Sequence, residues 1–292
     1  MRMQCAVAVV LLSAASAIPA QSSPSTQAPS TSCKTTTINV SGQSVGNVTP
    51  TGINSSDLVV GSFLNERSFQ PSGFKWLNGN ATVYDYPGAL GTSLNGINDS
   101  GTAVGWYNTT NEFFGFLLTS GGTTSLIQFP SSYDTYANGI NNKGTVVGWY
   151  DTATGGPYNG FVYQNGTYTS LQYPGAQDTY AEAINDLGVV VGYWYDGTTQ
   201  RGFYEYQGKY TDFNWPDSTF TVAYGINVHN DVVGAYGTTA HPEAQGFVFH
   251  NGRWTSYEYP DTPTTTLYGI NAAGDIVGLE NAAGPGFLLQ CK

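Results

Sequence analysis

Apolar and polar residues alternate along this chain in short runs, each cut off by Gly, Asn, Asp or Pro, which is the pattern of short β-strands joined by tight turns. The run Thr145-Val146-Val147-Gly148-Trp149-Tyr150 is typical, rich in the β-branched and aromatic residues that suit a pleated surface. Asn165-Gly166, set between Gly160-Phe161-Val162-Tyr163 and Tyr168-Thr169-Ser170-Leu171, predicts a hairpin. No segment carries a helical period. Pairs such as Val59-Val60 and Val190-Val191 blur the two-residue alternation, as expected where both faces of a strand are covered.

The runs repeat. Ile-Asn recurs at 53–54, 97–98, 140–141, 184–185, 226–227 and 270–271, at steps of 44, 43, 44, 42 and 44 residues. Each unit holds a run ending in Gly-Ile-Asn, a polar turn, a run ending in Val-Gly plus aromatics, a variable loop, a Gly-Phe run and a last run after a hairpin. Four antiparallel strands in a unit of this length make one blade of a β-propeller. The expected fold is therefore all-β, a six-bladed propeller with blades at 48–86, 92–130, 135–174, 179–216, 221–260 and 265–291. The sixth unit stops after its third strand, while a strand at 34–40 has no unit of its own. In a ring, the N-terminal strand completes the last blade; an open stack would leave both ends as bare edges. Cys33 and Cys291 flank the place where the missing hairpin turn belongs, and a disulfide there replaces it.

Residues 1–20 read as a secretory signal peptide: Arg2 is the one charge, Ala6 to Ala17 is an apolar core too short to span a bilayer, and small residues follow. Cys5 would leave with it. Residues 21–32 are rich in Ser, Thr and Pro and read as a disordered spacer, and 33–292 as one propeller domain. The whole chain carries 9 Lys+Arg against 20 Asp+Glu. Losing residues 1–20 removes one Arg and no acid, which takes the formal charge from −11 to −12. That acidity argues against nucleic acid or an anionic membrane as partner. A monomer, secreted into an extracellular or periplasmic space, is expected.

The unit Gly-Ile-Asn-x-x-Gly-x-x-Val-Gly followed by Gly-Phe resembles the extracellular HAF-type repeat of exported bacterial proteins. Good copies are Gly96 to Gly105 and Gly139 to Gly148; the departures are Ala183 for the leading Gly and Asp57 and Asn230 for the turn Gly. The resemblance implies an exported propeller-like protein and brings no catalytic residues with it. Recurrence in all six units marks the motif as structural. The turn Asn98-Asp99-Ser100-Gly101 lacks the acidic series of a calcium loop, and Asn141-Asn142-Lys143-Gly144 has no carboxylate, so these read as hairpin turns.

Two sets of residues are candidates for a site. The column before Gly-Ile-Asn varies: Thr51, Asn95, Asn138, Glu182, Tyr224 and Tyr268. If the first strand of each blade lines the central channel, these six polar groups converge on one axis, as an orienting pocket requires. The second set lies at the bases of the variable loops, where Tyr107, Tyr150, Trp194, Tyr195 and Arg201 form a candidate ligand-binding face, with Trp106 and Trp149 expected in the core. Rings there could stack on the apolar faces of sugars. Catalytic features are weak. Glu182 with Asp178, Asp134 or Asp217 could form a carboxylate pair, but any acidic loop face offers such pairs. His229, His241 and His250 show no zinc spacing, and no Gly-x-Ser-x-Gly elbow occurs. No metal and no cofactor are expected. The sequence favours non-catalytic binding of an extracellular carbohydrate or another surface ligand. The alternatives are a structural or protein-interaction scaffold, and a polysaccharide hydrolase or lyase with an acidic site near Glu182.

Overall fold

The structure, a computed structural model, describes residues 25–26, 33–40, 48–259, 262, 264–281 and 284–291. The expected signal peptide lies outside the described residues, as does the expected spacer apart from Ser25 and Thr26, which pair in parallel with Thr255 and Ser256. No described helix is long and apolar enough to cross a membrane.

Six sheets are arranged in a ring, each a four-stranded antiparallel meander running outward from its first strand. The fifth sheet carries the Ser25–Thr26 pair as an extra outer edge. The innermost strands are Val48–Ile53, Gly91–Ile97, Thr135–Ile140, Asp178–Ile184, Ser218–Ile226 and Thr266–Ile270. The fold is thus an all-β, six-bladed β-propeller. Cys33–Ile38 pairs antiparallel with Gly286–Cys291 and supplies the outer strand of the sixth blade. Cys33 and Cys291 stand opposite each other in that pair and form a disulfide across 258 positions of sequence.

Why the repeat keeps Asn after Ile is visible at the axis. Asn54 Nδ2 donates to the carbonyl of Asn98 (3.1 Å), Asn98 to Asn141 (3.2 Å), Asn141 to Asn185 (3.0 Å), Asn185 to Asn227 (3.0 Å), Asn227 to Asn271 (3.1 Å), and Asn271 back to Asn54 (3.2 Å). The six amides close a belt around the ring. Each Oδ1 also holds its own turn; that of Asn141 accepts from the N–H of Lys143 and of Thr145, both at 3.0 Å. The turn position wants a left-handed backbone, supplied by Gly101, Gly144, Gly188 and Gly274. At the two departures the residues are Asp57 (φ 59°) and Asn230 (φ 63°), types that tolerate that region. Their side chains add a second acceptor to the belt: Asn271 donates to Asp57 and Asn185 to Asn230.

A second column ties successive blades. Buried Thr92, Thr135, Thr179, Thr221 and Thr265 each accept, through Oγ1, the backbone N–H of the aromatic residue six positions earlier, from Tyr86 to Tyr259. Buried polar groups of this kind are costly to orphan. Asn141→Ala strips the partners from two turn N–H groups and removes one of the two donors to the Asn185 carbonyl, which keeps the N–H of Gly188, and a loss of about 1–3 kcal/mol is expected, read as the unfolding midpoint in denaturant.

Candidate functional site

The innermost strand of every blade carries a register shift against the second strand. It falls between Pro50 and Gly52, Leu94 and Gly96, Ala137 and Gly139, Ala181 and Ala183, Ala223 and Gly225, and Leu267 and Gly269. The residue skipped in each case is Thr51, Asn95, Asn138, Glu182, Tyr224 or Tyr268. A bulged residue is unpaired and its side chain is re-aimed. Six bulges aim these six side chains at the axis, where they line one cavity of about 240 Å³. The bulge needs a partner strand without a side chain: a Cβ on Gly105, Gly148, Gly192 or Gly234 would overlap the carbonyl of the facing inner strand. That accounts for the Gly of Val-Gly.

The cavity is unevenly furnished. On one side runs a directed hydrogen-bond chain. Ser93 Oγ donates to Asn95 Oδ1 (2.7 Å), Asn95 Nδ2 to Asn138 Oδ1 (3.0 Å), and Asn138 Nδ2 to Glu182 Oε2 (2.9 Å). On the other side the rings of Tyr224 and Tyr268 lie 5.0 Å apart. Glu182 is the one carboxylate among the lining residues. Burial pushes its carboxyl up to about 7, against the Asn138 amide, which favours the charged form. The Tyr224 hydroxyl is also driven up, by burial first and then by Tyr268 and Glu182.

Below the cavity, Ile53, Ile97, Ile140, Ile184, Ile226 and Ile270 form an apolar ring, each side chain only 6–9 % exposed. Beneath this ring, at the level of the asparagine belt, lies a second cavity of about 70 Å³. Asn142 Nδ2 bridges Asp99 and Asp186 there, at 2.8 Å to each. The isoleucines thus separate a polar chamber from a smaller one.

Two residues back along the inner strands, towards the opposite mouth, the side chains are large and aromatic in adjacent blades. Tyr136 stacks on Trp149 (3.8 Å) and meets Trp106 (5.9 Å) and Phe113 (5.0 Å). Trp149 meets Tyr158 (5.1 Å) and Tyr180 (5.4 Å), and Tyr180 stacks on Tyr193 (4.5 Å). These seven rings form one continuous arc across the second, third and fourth blades, and all are partly exposed. The equivalent positions after Val-Gly in the other blades are Ser62, Ala235 and Leu279, so the arc covers one half of the ring. The Tyr193 hydroxyl is raised by burial and then by Glu182, Tyr224, Tyr180 and Asp178, which joins the arc to the chamber. Asp134 and Asp178 sit behind it, accepting the backbone N–H of Phe113 (2.7 Å) and Tyr158 (2.9 Å). Burial is the main cause of the raised Asp134 carboxyl.

The arc corrects the expected division of aromatic pairs. Trp106 and Trp149, expected in the core, are partly exposed members of it. Tyr150, expected on the loop face, is 6 % exposed, stacks on Phe129 at 3.6 Å and donates to Ser170 Oγ. Tyr107 stacks on Tyr86 (3.8 Å) and Trp194 on Tyr173 (4.5 Å), the same contact that Tyr236 makes with Trp215 (3.8 Å). The second aromatic after Val-Gly therefore pins the link from the preceding blade, and the first faces the mouth. Neighbouring positions on a strand point to opposite faces, so exchanging the two roles is a one-residue error. Tyr195 and Arg201 lie in the fourth blade, at the end of the second strand and the start of the third, on either side of the connecting loop. The Tyr195 hydroxyl donates to the Gly197 carbonyl (2.8 Å). Arg201 lies over the Trp194 ring (5.8 Å) and beside Asp196 (3.5 Å). Asp196 is held at about 2 by hydrogen bonds from the Thr198 hydroxyl and from the N–H groups of Thr199 and Thr198. Asp134 and Asp178 do not line the chamber, and Asp217 lines another cavity with Thr199 and Trp215, so among the described residues no second carboxylate joins Glu182 within it.

Fold and site together define a closed six-bladed propeller with a single-residue-per-blade chamber on its axis. No protein-family model matches the chain, and no curated protein matches it. Among solved structures it is similar to a gluconolactonase-like protein (10 % identity, 90 % of this chain and 94 % of that one, TM-score 0.56). It is also similar to the calcium-binding regucalcin of Agrobacterium tumefaciens (15 %, 88 % and 91 %, 0.50) and to the Aleuria aurantia lectin solved with α-methyl-L-fucoside (11 %, 88 % and 90 %, 0.50). At such identities the likeness is one of fold.

Proposed function

We propose that this chain is a secreted, non-catalytic binding propeller of the HAF-repeat type whose ligand is an extracellular carbohydrate, held against the aromatic arc and reaching into the chamber. The observation that carries this reading is the arc itself. Seven partly exposed rings, from Trp106 to Tyr193, run without a break beside a chamber lined by amides, phenols and one carboxyl. Rings supply flat apolar area at little entropic cost and amides orient hydroxyl groups. The enclosing disulfide suits an oxidising, exported setting. Among the described residues that line the chamber, Glu182 is the one carboxylate, whereas cleavage by a carboxylate pair needs two.

The test is a screen of residues 21–292 against immobilised glycans and polysaccharides, reading both retention and released product, with Trp149→Ala and Tyr150→Phe beside the wild type. Retention without product is expected, weakened at least ten-fold by Trp149→Ala and little changed by Tyr150→Phe. Product release abolished in Glu182→Gln would replace this reading with the polysaccharide-cleaving enzyme. No retention on any glycan would hand the protein to the interaction-scaffold reading.

A further inference from the structure

We infer, on the basis of that reading, that the chamber takes the uncharged terminal unit of a sugar chain, so that the protein recognises chain ends rather than chain interiors. The geometry gives three reasons. First, the chamber is a blind end for anything of sugar size. The six buried isoleucines line both the chamber and the space on the belt side, and that space is only about 70 Å³, too small for a sugar ring. A chain cannot pass through; it can only enter from the mouth where the aromatic arc lies and stop.

Second, the volume limits what enters. At about 240 Å³ the chamber is smaller than the roughly 300–1,000 Å³ that surrounds a drug-sized ligand, which leaves space for about one sugar ring. The next units of the chain then fall at the level of Tyr136, Tyr180 and Tyr193, two residues along the inner strands or beside them. Arc and chamber are successive parts of one path.

Third, the walls suit a neutral hydroxylated ring. The Tyr224 and Tyr268 rings offer an apolar face on one side. Asn95, Asn138 and Glu182 offer polar groups on the other, already oriented by the Ser93-to-Glu182 chain, in which Glu182 Oε2 accepts from Asn138. Among the described residues no Lys, Arg or His lines the space, while Glu182 does, and Asp134 and Asp178 lie behind the arc. An acidic sugar would meet carboxyl groups and no cation.

The experiment compares wild-type binding of linear cello-, xylo-, manno- and malto-hexaose with binding of the matching polymers at equal mass, by competition against a retained glycan, with a hexamer of galacturonic acid alongside. The expected result is that the best neutral hexaose competes at least ten-fold better per unit mass than its polymer, in proportion to the number of chain ends, and that the acidic hexamer competes more weakly than it. Equal competition per unit mass would overturn end recognition while leaving carbohydrate binding intact. Preference for the acidic hexamer would overturn the neutral-terminus assignment. Failure of every sugar would remove the carbohydrate reading itself. Asn138→Leu, which removes one of the chamber's two amides, breaks the hydrogen-bond chain to Glu182 and leaves the arc, is expected to cost hexaose binding at least ten-fold while retaining weak binding to polymer; unchanged hexaose binding would place the sugar outside the chamber.

Discussion

Replacing Cys33 and Cys291 together by serine is expected to destabilise the propeller by about 2–5 kcal/mol, the largest effect of any change outside the buried core. The strand Cys33–Ile38 is held to its blade by one antiparallel pairing with Gly286–Cys291, and the sixth blade is otherwise three strands deep. The disulfide closes a loop spanning 258 positions, for which chain entropy alone predicts about 5–6 kcal/mol at 25 °C. Residual structure in a reduced, unfolded chain lowers that figure. Denaturant unfolding of the double serine variant measures the loss, and hydrogen exchange locates it: protection should fall first along 33–38 and 286–291, while the second to fourth blades keep theirs. Unchanged stability would mean that inter-blade packing alone holds the ring.

Glu182→Gln is expected to stabilise the protein at neutral and alkaline pH and to do nothing at acid pH. The folded carboxyl is raised to about 7 by burial, from an ordinary value of 4.5 in the unfolded chain. The folded state therefore binds the proton more tightly. Wild-type stability from this group is full below about pH 4.5 and is lost progressively as the pH climbs to about 7, after which it changes no further. Gln cannot ionise and can still accept from Asn138. The variant should gain up to about 3 kcal/mol over wild type at pH 8, an upper figure because water in the chamber screens the charge. Thermal unfolding of both proteins between pH 4 and pH 8 reads this directly. Parallel curves across that range would show that Glu182 ionises freely in the chamber and that its surroundings are wetter than the packing implies.

The site was partly legible before the structure. The varying column Thr51, Asn95, Asn138, Glu182, Tyr224 and Tyr268 stands out because its neighbours recur and it does not. The structure adds the reason: each member is the unpaired residue of a bulge, and the bulge rests on the glycine of Val-Gly in the adjacent strand. The aromatic arc was not legible as such. Trp149 and Tyr150 are adjacent, both large and both in the same strand, and nothing in their identity says which one stacks on the link from the preceding blade. A usable signal existed nonetheless. An aromatic residue precedes Pro at Tyr86, Phe129, Tyr173, Trp215 and Tyr259, at the pitch of the repeat, and each such ring needs a partner. The second aromatic after Val-Gly recurs with it in blades two to five, whereas the first does not.

The sequence alone determined the number of blades, the four strands of each, the left-handed turns and the closure of the ring between the two ends. These depend on local chemistry, on strand periodicity, turn residues and a paired cysteine count, all of which repeat or end at definite positions along the chain. Which aromatic faces the mouth, how six asparagines join into one belt, and how six isoleucines ring the axis between a larger and a smaller cavity emerge only in three dimensions. Those features are contacts between residues some 42–44 positions apart or, across the closure, between Asn271 and Asn54. Their direction is set by sheet register, bulges and the meeting of neighbouring blades, which no single repeat contains.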